Sequence, residues 1–221
     1  MVEQTCKLKM RRTARLGASA VLVVGLVVGM TSPVLTKTII EQWPNVTAPP
    51  PPELKPVTLN PESTALLLLD FGKQNCGARP RCVATLPQVE KLATAARAKN
   101  VLVVHSLFGQ ATAADLFAEV APKGDEQLVK SGANKFLGTD LEKILKDEGI
   151  TTVIVTGTAA HGAVLNTAAA AALKGLKVIL PVDGMSAESA YPEQYTAWHL
   201  ANAPGGIAPQ VTVTKIDMIQ F

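Results

Sequence analysis

Apolar and polar positions alternate in blocks along most of the chain. TALLLLD (64–70) is a continuous apolar run closed by a carboxylate, the pattern of a strand buried on both faces. Leu86, Val89, Leu92 and Ala93 recur at helical spacing and predict a helix over 86–99. A second apolar run predicts a strand over 101–105, ending at His105. Residues 106–126 are mixed, with a short helix expected near 112–119, and a short strand is expected over 126–130, ending at Lys130. Thr139 and Glu142 have capping-box spacing and predict a helix that stops at Gly149. TTVIVT (151–156) is rich in β-branched residues and is the clearest strand. An Ala-rich helix follows over 160–174, then a strand over 177–180, a helix over 191–201 and a strand over 211–214.

Strands alternating with helices place the chain in the α/β class. The expected architecture has three layers, with helices on both faces of a mostly parallel, Rossmann-like sheet. Such sheets bind ligands beyond the C-terminal ends of their strands. That rule selects Asp70, His105, Lys130 and the turn of small residues over 157–163.

The first residues break this pattern. Lys7, Lys9, Arg11, Arg12 and Arg15 precede an uncharged stretch over 16–30, the order of a secretory signal. Residues 1–35 are therefore read as an export signal or signal anchor. With no clear A-x-A site, cleavage and retention both stay open. A Pro-rich linker over 36–61, with four consecutive prolines, favours polyproline II and reads as a semi-rigid spacer. The folded domain is expected over 62–221. The protein is expected to be exported, periplasmic or otherwise extracytoplasmic, and to touch membrane only through 16–30.

Composition changes this picture little. Of the 221 residues, 48% are hydrophobic and 18% charged, which suits a packed core, and the net charge of +3 is concentrated before residue 16. The folded part carries no basic patch for nucleic acid. Cys76 and Cys82 flank GARPR, and in an exported protein they read as a disulfide; the alternative is a reactive thiol at Cys76. Neither a G-x-G-x-x-G loop nor ligand spacing around His105 or His199 is present, so no cofactor and no metal are expected. Tyr191, Tyr195, Trp198 and His199 share one helix face, a core or dimer contact.

Taken in order, the motifs resemble the isochorismatase-like family, which includes cysteine hydrolases such as nicotinamidases and related amidases. TALLLLDFGKQ is similar to the first strand with its catalytic Asp, here Asp70. LVKSGANKFLGTDLEKIL is similar to the segment with the catalytic Lys, mapped to Lys130, followed by Phe136, Gly138, Thr139, Asp140 and Leu141. VIVTGTAAHGAVLNTA is similar to the strand and turn that carry the nucleophilic Cys, and VILPVDGMSA to the strand and acidic loop that follow. Aligning Gly157 and Thr167 puts Ala163 at the Cys position. Alanine cannot attack a carbonyl, so acyl transfer from this position is excluded.

The resemblance implies a small-molecule substrate and a homo-oligomer. It also points to a branch that hydrolyses vinyl ethers without a thiol and has an Ala-His turn, like Ala160-His161 here. In that reading Asp70 is the general acid or base, Lys130 sets its protonation, and Gly162, His161 and His105 contact substrate or oxyanion. The alternatives are a catalytically inactive family member serving as a binding or scaffold domain, and an amidase with its nucleophile relocated to Cys76.

Overall fold

Residues 37–221 are described by the computed structural model. Residues 37–47 belong to a first unit, Met1–Thr47, and hold a short helix α1 (Ile39–Gln42) followed by a 3-10 turn (Trp43–Asn45). The second unit, Ala48–Phe221, carries the sheet. The segment over 1–35, expected to be an export signal or signal anchor, lies outside the described residues. Among the described residues no helix is long and apolar enough to cross a membrane.

The sheet grows from β2 (Thr64–Leu69), every residue of which is buried. Each Leu so enclosed contributes about 1.5–3 kcal/mol relative to exposure. β2 pairs with β3 (Leu102–Leu107) on one side and β5 (Thr152–Thr158) on the other. Beyond β3 lies β4 (Gln127–Lys130), and beyond β5 lie β6 (Lys177–Pro181) and β8 (Val211–Thr214). A two-residue β7 (Met185–Ser186) pairs with the end of β5. All these pairings are parallel. β1 (Val57–Thr58) and β9 (Ile219–Gln220) form a separate small parallel pair.

Helix α2 (Pro80–Ala98) covers one face, burying Leu86, Val89, Leu92 and Ala96 with Leu66 and Leu68 of β2. It begins six residues before the expected start, with Pro80 in its first turn, where the missing N–H costs nothing. Helices α3 (Leu141–Asp147), α4 (Leu165–Leu173) and α5 (Ala190–Asn202) cover the other face, with Leu145, Ala168 and Leu200 against Leu67 and Leu69. The three-layer α/β architecture is thus as expected.

Three local expectations need correction. The mixed segment holds two 3-10 turns, Ala113–Asp115 and Ala118–Val120, not one helix. Thr139 does not open a capping box: its hydroxyl donates to the Lys135 carbonyl and accepts from the Leu141 N–H, while Asp140 is the N-cap of α3. The proline segment is not a free spacer up to 61. Pro49 accepts a hydrogen bond from Gln194 of α5, Lys55 N–H donates to the Val213 carbonyl of edge strand β8, and β1 pairs with β9. The prolines need no sheet partners of their own, so this strap can close over an edge.

Candidate active site

The strand order decides where a site can lie. From β2 the chain adds β3 and β4 on one side, then returns to place β5, β6 and β8 on the other. The reversal falls between β2 and β5, and the crevice at that point, beyond the strand C-termini, is where open α/β sheets hold ligands. Asp70 follows β2 there, and residues 159–164 follow β5.

The two strand ends approach closely. Leu69 lies level with Gly157 in the register. A Cβ at Gly157 would stand 2.3 Å from the Leu69 carbonyl oxygen, and φ there is +142°, so only glycine fits. Asp70 has φ +59°, unusual for a non-glycine residue. Strict alternation would send its side chain toward α2 with Leu66 and Leu68. The left-handed turn instead brings the carboxylate to Ser106, which shares the α4 side with Val104.

Asp70 Oδ2 accepts from Lys135 Nζ at 2.7 Å, and Oδ1 accepts from Ser106 Oγ at 2.7 Å. Asp70 is 4% exposed and Lys135 0%. Lys135 Nζ also donates to the Ser131 carbonyl, while its backbone N–H donates to Thr167 Oγ1 of α4. Burial pushes the Asp70 carboxyl above its ordinary value, and Lys135 and Ser106 only partly oppose that. A carboxyl so held keeps more of its proton toward neutral pH, which suits a general acid.

Lys135, not Lys130, is therefore the partner of Asp70. On edge strand β4 it is Val129 that turns into the core, which leaves Lys130 exposed along a surface groove with Gln127, Thr139 and Lys143. The resemblance favoured the lysine at the strand end. The loop that follows folds back and delivers the lysine next to Phe136.

The turn after β5 is also reshaped. The Thr158–Ala159 peptide is cis. Ala160–Val164 form a π-helical turn before α4 begins, an irregularity frequent at functional sites. Ala163 is buried in this turn. The expected oxyanion donors fare differently from the expectation, since Gly162 N–H already donates to the Ala159 carbonyl. His161 is partly exposed, with Nε2 3.8 Å from Glu188 Oε1.

His105 does not join the site. It faces α2, is 1% exposed, and its Nε2 lies 2.7 Å from Glu126 Oε2. Glu126 also takes two bonds from Arg97 and one from the Lys123 N–H. An ionised carboxylate only accepts, so the imidazole proton sits on Nε2. Burial opposes the Glu126 charge, but the bonds from Arg97, His105 and Lys123 prevail and bring its pKa down to about 2. Burial pushes the His105 pKa down despite Glu126, so the ring is neutral. This cluster ties α2 to the sheet.

Cys76 and Cys82 are joined in a disulfide, which occupies the sulfur that a relocated nucleophile would need. Among the described residues no group of three or more His, Cys, Asp or Glu side chains converges in a way that could hold a metal. Ser106, Thr167 and Lys135 were the site residues that sequence reasoning missed. Ser106 directly follows His105 and alternates to the opposite face, the one signal that could have found it.

The sequence model of the isochorismatase domain matches residues 64–213. No curated protein sequence matches the chain. Among solved structures, the chain is similar to an isochorismatase-like hydrolase from Alkaliphilus metalliredigens, with 25% identity and a TM-score of 0.63 over 70% of this chain and 95% of that one. It shares its fold with an N-carbamoylsarcosine amidase from Thermoplasma acidophilum (21% identity, TM-score 0.61, 70% of this chain and 97% of that one). The same holds for a nicotinamidase from Staphylococcus aureus (16% identity, TM-score 0.62, 70% of this chain and 99% of that one). The family match spans the sheet from β2 to β8 and the structural likeness agrees with it: the chain belongs to the isochorismatase-like hydrolase family.

Proposed function

We propose that the protein is an exported hydrolase that works without a covalent intermediate on a small anionic substrate, with Asp70 as general acid and base and Lys135 as its charged partner. The observation that carries this reading is the buried Asp70–Lys135 contact, in a domain whose π-helical turn after β5 holds Ala163 and no Cys or Ser. An acid without a nucleophile suits vinyl ether hydrolysis. Asp70 donates its proton to the vinyl carbon. Water then adds to the oxocarbenium carbon and returns a proton to the Asp70 carboxylate. The resulting hemiketal separates into a ketone and an alcohol, so atoms and charge balance. The Cys76–Cys82 disulfide supports the export part of the reading, because disulfides persist in oxidising compartments.

A second reading, an inactive binding or scaffold domain, is favoured by one observation. Both Asp70 oxygens are engaged and Lys135 is fully enclosed, so only a small part of Asp70 reaches solvent.

The test is a screen of the full chain against carboxylate-bearing vinyl ethers and small amides, beside Asp70→Asn and Ala163→Cys. The proposal expects vinyl ether turnover in the wild type, reduced about 10²–10⁴-fold by Asp70→Asn. A wild type that turns over nothing, while Ala163→Cys acquires amidase activity, gives the site to the inactive reading.

A further inference from the structure

The disulfide closes a loop that holds two arginines in different states. Arg81 is spent: it forms an ion pair with Glu193, which also accepts from the Ala187 N–H. Arg79 is half-buried, and among the described residues no carboxylate pairs with it. Its Nη1 makes only two long bonds, 3.4 Å to the Asn75 carbonyl and 3.4 Å to Thr158 Oγ1. Nε and Nη2 make none among the described residues.

The position of Thr158 gives this arginine its meaning. Thr158 is the last residue of β5, directly after Gly157, which lies level with Leu69. Arg79 is therefore fixed at the same strand-end rim as Asp70. It approaches from the α2 side, whereas the Asp70–Lys135 pair lies on the α4 side. Ser186 pairs with Thr158 in the register and so shares its face. Its buried Oγ has no hydrogen-bond partner among the described residues. A guanidinium with unused parallel donors matches a carboxylate in two-point geometry. Arg79 also occupies the N-cap position of α2, where its side chain makes no capping bond, and the Cys76–Cys82 bond limits how far it can move.

We infer that the Cys76–Cys82 loop is an anion clamp in which Arg79 anchors the carboxylate of the substrate across the crevice from Asp70. The inference rests on the proposed function only in taking this rim as the substrate site. Hydrogen bonds to charged groups are worth enough that losing this anchor lowers carboxylate affinity about tenfold to a hundredfold.

The test measures binding, so it does not depend on turnover. The oxidised full chain is titrated with acetate and benzoate and with their neutral counterparts acetamide and benzamide. The wild type prefers each acid to its amide. Arg79→Gln loses about tenfold to a hundredfold of the acid affinity and leaves amide affinity unchanged, while Arg79→Lys keeps part of it. Reduction of the disulfide with a phosphine weakens acid binding in the same direction. In the unmutated protein, benzoate but not benzamide slows phenylglyoxal modification of Arg79, read by mass spectrometry. Asp70→Asn retains the Arg79-dependent preference, which separates this inference from the hydrolytic one. No acid-over-amide preference in the wild type, or equal loss of acid and amide binding in Arg79→Gln, overturns it.

Discussion

Two lysines five positions apart have opposite roles, and only one of them bears on Asp70. Lys135 neutralises a carboxylate that is otherwise enclosed, so Lys135→Met forces Asp70 to stay charged without a partner or to take up a proton, and costs up to about 3–5 kcal/mol. Lys130 is exposed on an edge strand, and Lys130→Ala changes stability by less than about 0.5 kcal/mol. The double variant Lys135→Met/Asp70→Asn recovers much of the loss, because no charge remains buried. Urea unfolding of the three variants beside the wild type checks all of this, and equal effects of the two single variants contradict the assignment. Asp70 was legible in the sequence because a carboxylate closing an apolar run has few places to go in a parallel sheet. Lys135 was not, because periodicity places strand ends but not the path of the loop beyond them. The same holds for Arg79, whose role depends on α2 starting at Pro80 and on a contact with a residue far along the chain.

Among the elements, the ends of β2 and β5 and the face of α2 carry the strongest constraints. Gly157→Ala must move the Leu69 backbone or leave a strained φ, so it destabilises by at least about 1–3 kcal/mol. The Asp70–Ser106 geometry shifts with it, and a fall in thermal unfolding temperature reads the effect. Where α2 meets the sheet, Glu126 has a folded pKa of about 2 against an ordinary 4.5. The unfolded chain binds more protons between those values, so the contribution of Glu126 is present above 4.5 and is lost as pH falls toward 2. The stability gap between wild type and Glu126→Gln therefore narrows on acidification from about pH 6 to about pH 3. A gap independent of pH shows that the carboxylate charge is not what ties Arg97 and His105 together. The strands and helices themselves were largely readable from hydrophobic spacing. The π-helical turn and the failed capping box at Thr139 were not. An Ala-rich run reads as uninterrupted helix, and a side chain that bonds backwards to Lys135 competes with its own cap.

At the level of the whole molecule, the strand order brings one acid, one amine and one arginine to a single rim. Ala163, with no thiol to offer, is buried in the π-helical turn after β5. The proline strap over β8 belongs to the same compact unit, which begins at Ala48 and not at the end of the proline run. The central claim is that this arrangement hydrolyses by proton donation from Asp70 instead of acyl transfer. The most direct measurement is hydrolysis of a carboxylate-bearing vinyl ether by the full chain in deuterium oxide, with the ketone product examined by NMR. The account predicts one deuterium on the carbon that Asp70 protonates, formed by the wild type and lost with Asp70→Asn. Turnover that survives Asp70→Asn, or the absence of any product from the wild type, contradicts it.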